Sequence, residues 1–367
     1  MNRRIAVVNT GTSTLKLALM EVGSKGIREL HRVEHSWNPA EDPIGHLRAT
    51  LVDFGGTPDA FGHRVVHGGT EFVLPTTLTA RVEAELEALV PLAPLHNGPA
   101  LAAIRAVRKL CPNTPAIAVF DTAFHAQRPA HSVQYALRPE LAETFGIRRY
   151  GFHGIAHASL VEALANAQGV PVEQVSAVTL QLGAGCSACA AKEGQSVETS
   201  MGFTPLEGLM MATRSGDVDP AVVLRLMRAG YGADRIEEEL TRRSGFFGLC
   251  GLTDMREILA AVSNEHEAAG LALRLFCHRI ILTTGAYFTL LDGQGALVFG
   301  GGVGRNAPQI RERVTRGLAA WGVALDKERN QRNQPGLISS KGSRAVFVFD
   351  TNEEAVIARE VQQHIGS

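Results

Sequence analysis

Short apolar runs recur along the chain, each stopping at a polar or glycine-rich turn. Ile5 to Val8 reads as a strand and Asn9 to Thr14 as a polar turn. Leu15 to Met20 is an alternating return strand, with Leu15, Leu17 and Leu19 on one face and Lys16 on the other. Ile27 to His35 can add a third strand. The pattern then comes back. Gln174 to Leu182 is a strand, Gly183-Ala184-Gly185 a turn, Cys186 to Lys192 the return, and Gln195 to Thr199 the third run. Two such units predict two domains of similar build. A third glycine cluster, Gly300 to Gly304, follows the strand Ala296 to Phe299 and leads into a helical pattern from Ala307 to Ala320. That order makes a place for a nucleotide, although the G-x-G-x-x-G spacing of a dinucleotide fold is absent. Helical patterns also cover Pro99 to Leu110, Ala156 to Ala167, Pro220 to Ala229, Ala233 to Arg243, Met255 to Leu291 with room for a break, and Asn352 to His364. Lys327 to Arg344 reads as polar surface. The alternation of strands and helices predicts an α/β protein.

Thr199 to Pro220 fits neither period, because Gly202, Pro205, Gly208 and Gly216 interrupt its apolar residues. A packed loop of that length is usually functional. Its single basic residue, Arg214, has two readings: a guanidinium placed to meet an anion, or one paired with Asp217 or Asp219 in an irregular crossing.

At 367 residues the chain exceeds one ordinary core, which again favours two domains. A net charge of -1 gives no electrostatic case for nucleic acid or an anionic membrane as partner. Leu271 to Leu291 is the most apolar long segment, but Arg274, His278 and Arg279 make it a buried helix rather than a membrane span. Asn9 to Thr14 splits what would be the apolar core of a signal peptide. Five cysteines without framework spacing fit a reducing cytoplasm. Cys186 and Cys189 lie three apart in a strand, facing opposite sides, and read as structural thiols. His63 and His67, like His153 and His157, are four apart, but neither pair has the H-E-x-x-H glutamate, so zinc is the weaker reading.

Candidate chemistry gathers at strand ends. The hydroxyl-rich turn ending at Lys16 offers N–H groups, hydroxyls and a cation, which suit phosphate, though it is no Walker loop. Arg64 sits in an apolar strand before Gly68-Gly69, Asp121 ends the buried strand Ala116 to Phe120, and Ala93 to Asn97 precedes a helix. Arg148 to Gly154 turns into another helix. Phosphate turns, a nucleotide loop, a carboxylate for Mg²⁺ and two buried arginines point to phosphoryl transfer. No general base stands out, and none is needed if the acceptor is a carboxylate, already ionised at neutral pH.

Long segments resemble the acetate kinase family, of the acetate and sugar kinase/heat-shock cognate/actin superfamily: Asn9 to Lys16, GHRVVHGG (62–69), APLHN (93–97), FDTAFH (120–125), GIRRYGFHG (146–154), ETSMGFTPLEGLMMATRSGD (198–217), Gly300 to Asn306 and TNEE (351–354). The resemblance implies a two-domain actin-like (ribonuclease H-like) α/β fold, each domain a mixed sheet flanked by helices, with the active site in the cleft between. The domain limits expected are 1–148 plus 352–367 for acyl and phosphoryl binding, and 149–351 for nucleotide binding and dimerisation. The implied reaction is reversible transfer of the ATP γ-phosphoryl group to acetate or propionate, with Mg²⁺ (or Mn²⁺), in a cytoplasmic homodimer.

By the same resemblance, Arg64 and Arg214 bind the acid's carboxylate and the moving phosphoryl group, His153 steadies the transition state and His96 supports it. Asp121 and Glu353 lie near the metal, with Asn9 as a further metal residue. Val66, Leu95, Phe152 and Pro205 line the alkyl pocket. Asn9, Thr12, Thr14, Lys16, Gln181, Gly183 and Gly185 meet phosphoryl groups, and Gly301, Gly302, Gly304 and Asn306 meet adenosine. The chain departs from the family's HLGNG at Gln181 and Ala184, from G-T-R-S-G-D at Ala212 and from G-E-N at Arg305, and it is short between Met20 and Phe61. These departures keep two alternatives open: the same chemistry with a donor such as pyrophosphate, or a degenerate relative that binds nucleotide or acyl phosphate.

Overall fold

The two strand clusters fold into six-stranded mixed sheets of identical connectivity. The computed structural model describes residues 2–11, 14–24, 26–38 and 41–366. The first sheet contains β1 (Arg3–Thr10), β2 (Thr14–Gly23), β3 (Gly26–Ser36), β4 (Ala60–Val65), β5 (Thr76–Thr77) and β6 (Ala116–Phe120), in the order β3-β2-β1-β4-β6-β5. The second contains β7 (Ala177–Leu182), β8 (Cys186–Lys192), β9 (Gln195–Thr199), β10 (Ala296–Gly300), β11 (Gly336–Leu337) and β12 (Val346–Val348), in the order β9-β8-β7-β10-β12-β11. In each sheet a three-stranded antiparallel meander joins a parallel trio, β1-β4-β6 or β7-β10-β12, and a two-residue antiparallel strand closes the far edge. This is the two-domain actin-like α/β fold. The chain divides into two compact units, Met1–Ala126 with His153–Ser159 and Asn352–Ser367, and Gln127–Phe152 with Leu160–Thr351.

In the first unit β1 is covered on both faces, which is why its apolar run is continuous. Ile5 and Val7 pack with Val356, Ile357 and Val361 of the helix Glu353–His364. Ala6 and Val8 pack with Leu15, Leu17 and Ala103 of the helix Pro94–Leu110. Gly62 on β4 lets the first helix lie close, since a Cβ there would come within 2.6 Å of Ile357 Cγ2. In the second unit the helix Glu267–Leu290 buries Ala272, Phe276, Ile280 and Phe288. Among the described residues, no helix is long and apolar enough to cross a membrane.

Some boundaries differ from the sequence reading. The helix at Pro99 starts earlier, at Pro94 in its first position, so Leu95 and His96 lie in its first turn rather than before it. The glycine cluster expected as a loop is itself the helix Gly301–Asn306, followed by the helix Pro308–Gly317. The break expected in Met255 to Leu291 falls at Asn264 to His266, where Glu265 has φ 59° and His266 caps the next helix. A short helix, Gly245–Cys250, was not foreseen. The polar segment from Lys327 is not all surface: Asn330, Ile338 and Ser339 are buried.

Asn330 is buried because Arg311 is. Arg311 is fully buried, and it donates to Asn330 Oδ1 (2.8 Å) and to the carbonyls of Gly304, Arg305 and Asn330 (each 2.9 Å). Burial, with the nearby charge of Arg305, lowers its pKa to about 10, so it stays charged at neutral pH. Carbonyls, not carboxylates, stabilise this cation, and they include the last carbonyls of the glycine helix. Replacing Arg311 with Met is expected to cost about 3 kcal/mol or more by stranding these buried acceptors. A urea midpoint unchanged in Arg311→Met contradicts this.

Candidate active site

Three of the expected residues meet at adjacent strand ends of the first unit, and a fourth joins them from a helix start. Arg64, near the end of β4, donates from Nε to Asp121 Oδ1 (3.1 Å) and from Nη2 to Asp121 Oδ2 (2.5 Å), a bidentate pair. Its Nη1 donates to Asn9 Oδ1 at the end of β1 (3.1 Å), and Asn9 Nδ2 donates to Glu353 Oε2 (3.1 Å). Glu353 Oε2 also lies 3.7 Å from Arg64 Nη1. These partners fix the Asn9 amide, because its oxygen must face the cation and its nitrogen the carboxylate. Burial disfavours the Arg64 charge, but Asp121 and Glu353 outweigh it and raise its pKa. Burial raises the Glu353 pKa, against the pull of Arg64. The cluster sets two carboxyl groups and one amide against one guanidinium. Its donors are carboxylate and amide oxygens, those a hard cation takes.

Backbone contacts aim the neighbouring groups. Gly154 N donates to the Asp121 carbonyl (2.9 Å), and no Cβ would fit there, so His153 is anchored to the strand end that holds Arg64. His153 itself has φ 57°, an uncommon conformation for a residue with a side chain. Asn97 clasps His67, accepting from its N–H (3.0 Å) and donating to its carbonyl (2.9 Å). That ties the helix turn bearing Leu95 and His96 to the segment bearing buried Val66. Thr122 Oγ1 accepts from Gly68 N (3.1 Å). Neither Asn97 nor Thr122 was picked out from sequence, since their partners lie 30 and 54 residues away. The first phosphate turn is less complete. Thr12 lies outside the described residues. Thr14 opens β2, and Lys16 stands opposite Asn9 in register with its ammonium 3.7 Å from Glu34.

The second unit holds the nucleotide candidates. Gln181 pairs in register with Gly300, and its Oε1 accepts from the Thr351 hydroxyl (2.8 Å), whose oxygen accepts from Gly301 N (3.1 Å). Gly301 has φ 73° and lies against the Leu182 carbonyl, where a Cβ would collide. The turn at Gly183 is closed by its N–H bond to the Gly185 carbonyl (3.0 Å). Between this turn and the glycine helix lies a cavity of about 470 Å³, lined by Gly183, Ala184, Ala212, Gly302 and Asn306. Gly185, Gly301 and Gly304 are not among its lining residues. Phe246 and the segment Thr253 to Arg256 form its other wall. Sequence reading missed that wall; the only local signal was Asp254, which caps the helix Met255–Ser263.

Arg214, in the irregular loop, donates to the Pro205 carbonyl (3.3 Å). Asp217 pairs instead with Arg279 and holds Gly208 N (2.8 Å), and Asp219 caps the helix Pro220–Arg228. No carboxylate among the described residues pairs with Arg214, and burial lowers its pKa. Phe152 is buried in the same unit. Cys186 and Cys189 are free thiols, buried in β8, and burial raises both to about 12. They are inert at neutral pH.

Residues 56–359 match the acetokinase family. The chain belongs to the acetokinase family. This family consists of phosphotransferases with a carboxyl group as acceptor. A relative described as acetate kinase, from Leifsonia xyli subsp. xyli, is 43% identical across 99% of each chain. Among solved structures, a propionate kinase from Francisella tularensis superposes with a TM-score of 0.89 at 34% identity, covering 98% of both chains. The acetate kinase of Porphyromonas gingivalis gives 0.88 at 35%, covering 99% of this chain and 100% of that one.

One pH dependence follows from the first unit of this acetokinase-family chain. Burial holds His63 at about 3, and burial with a smaller effect of His153 holds His157 at about 3. Between these values and the unfolded value of about 6.5, only the unfolded chain takes up the protons, so stability is intact above that window and is lost as pH falls through it. The urea midpoint is expected to fall less steeply from about pH 6.5 to about pH 4 in His63→Leu than in the parent chain. Parallel slopes contradict this.

Proposed function

We propose that the protein transfers the γ-phosphoryl group of ATP to the carboxylate of acetate or propionate, reversibly, giving acyl phosphate and ADP. The observation that carries this reading is the Asn9–Arg64–Asp121–Glu353 cluster, a partly buried cation held by hydrogen-bonded oxygens at converging strand ends. In the forward reaction a carboxylate oxygen of the acid forms a bond to Pγ. The bond from Pγ to the β–γ bridging oxygen breaks, and ADP leaves with the electron pair. No proton has to move, because the acid is already ionised at neutral pH and needs no general base. Charge on the three equatorial oxygens is met by Arg64, His153 and Arg214 as preorganised donors. Asp121 orients Arg64, and His96 supports the acid. Val66, Leu95, Phe152 and Pro205 border the alkyl group.

The first unit carries Arg64, Val66, Leu95, His96 and His153 for the acid and the phosphoryl group, and the second adds Phe152, Pro205 and Arg214 and supplies the nucleotide's partners. Asn9, Thr12, Thr14 and Lys16 serve the phosphates from the first. Gln181, Gly183, Gly185, Gly301, Gly302, Gly304 and Asn306 serve the nucleotide from the second. Asn9 and Glu353, with Asp121 nearby, fit Mg²⁺, which needs only one or two protein carboxylates beside phosphate oxygens and water. When bound, that ion neutralises charge on the donor's phosphate oxygens. Five free cysteines agree with a cytoplasmic protein.

With acetate or propionate, ATP and Mg²⁺, the purified protein is expected to form acyl hydroxamate in the presence of hydroxylamine. Arg64→Ala and Arg214→Ala are each expected to lower kcat about 10²- to 10³-fold. No product with either acid, or full turnover in both variants, overturns the reading. We further propose a homodimer formed through the second unit. The helix Pro220–Arg228 buries none of its side chains yet exposes Val222, Leu224 and Met227, and Leu271 and Leu275 are exposed as well. Light scattering is expected to give a dimer mass, and Met227→Asp with Leu271→Asp a folded monomer. A monomeric parent chain contradicts the assembly.

A further inference from the structure

Two of the four alkyl-pocket residues, Phe152 and Pro205, lie on separate segments of the second unit. We infer that Tyr135, Arg149 and Glu207 form a brace that sets the spacing of Phe152 and Pro205, and so tunes which acid chain length is preferred. The inference rests on the reading that these two residues border the acid.

Glu207 uses both oxygens: Oε1 pairs with Arg149 Nη2, and Oε2 accepts from the Tyr135 hydroxyl. The same hydroxyl oxygen accepts from Phe203 N (2.9 Å), and the Arg149 guanidinium lies over the Tyr135 ring, 4.9 Å from its centroid. Burial, with the Glu207 bond, raises the Tyr135 pKa, so the hydroxyl stays a donor. The backbones are joined as well. The Gly202 carbonyl accepts from Tyr150 N (3.0 Å) and Gly151 N (3.2 Å). A Cβ at Gly202 would fall on the Glu207 carboxylate and the Tyr135 hydroxyl, so this approach requires glycine. Arg128, buried, fixes the other side of the segment by donating to the carbonyls of Arg149 (2.6 Å) and Tyr150 (3.2 Å). Phe152 is two residues beyond Tyr150, and Pro205 two before Glu207. The Pro205 carbonyl in turn accepts from Arg214 (3.3 Å), so a shift of the brace reaches the guanidinium. Tyr135, Arg149 and Glu207 are positioning residues, acting through Phe152, Pro205 and Arg214.

The test is steady-state kinetics with both acids. Tyr135→Phe keeps the ring and removes the hydroxyl, and Glu207→Gln keeps the shape and removes the charge. Each is expected to change the ratio of kcat/KM for acetate to that for propionate by about three- to ten-fold, with KM for ATP changed less than about two-fold. The double variant is expected to add little to the larger single effect, because one unit is being broken. A role in stability alone would lower Tm and leave the ratio in place. Pro205→Ala separates the failures. A ratio unmoved by Pro205→Ala overturns the pocket assignment beneath the inference. A ratio moved by Pro205→Ala but not by Tyr135→Phe or Glu207→Gln overturns the brace.

Discussion

A guanidinium can be taken out of water only if oxygens go with it, and the position of Arg64 in an apolar strand makes that condition govern the first unit. Its five N–H groups need acceptors in fixed directions, which one neighbour cannot supply. The fold meets the need through strand order. With β1, β4 and β6 parallel and adjacent, Asn9, Arg64 and Asp121 arrive together at their C-terminal ends. Glu353 closes the set from the first turn of a helix, where the helix dipole also favours a carboxylate. Four segments, distant in sequence, are therefore committed to one point by one charge.

The second sheet repeats the connectivity but puts different chemistry at the equivalent strand ends. There β7, β10 and β12 end in Leu182, Gly300 and Val348. No ion pair joins those three ends among the described residues; a tight glycine turn and a glycine helix stand beside a cavity. Backbone N–H groups can serve a phosphate as well as cations do, provided no side chain blocks the approach. A duplicated frame has thus been used once for side-chain charge and once for backbone dipoles.

The strands were legible from two patterns, alternation in β2 and a continuous apolar run in β1, although both strands are covered on both faces. The doubled architecture was legible for the same reason. The helix Gly301–Asn306 was not, since glycine is a poor helix former and this helix depends on bonds from far away. Thr351 holds its start, and Arg311 its last carbonyls. The irregular loop announced its importance but left Arg214 open between an anion and a neighbouring acid. The distances decide against pairing with Asp217, which is committed to Arg279 and to Gly208. Asn97, Thr122 and the wall from Thr253 to Arg256 carry their meaning only in three dimensions.

Gln181 and Ala184, the departures that raised doubt about the nucleotide, each have a place in the hydrogen bonding of the second unit, one through its side chain and one through its backbone. The side-chain amide oxygen of Gln181 accepts from the Thr351 hydroxyl, which in turn holds Gly301 N, so the side chain's effect is passed to the start of the glycine helix. The carbonyl of Ala184 accepts from Ala212 N (3.1 Å), a bond indifferent to the side chain at either position. Alanine at 184 and 212 therefore leaves the turn's hydrogen bonding intact and alters only the wall of the cavity both residues line. A cradle built from N–H groups survives exchanges that a cradle built from side chains would not, because what it offers the phosphate is fixed by the path of the chain. The altered residues thus bear on the shape of the cavity more than on the path of the chain around it.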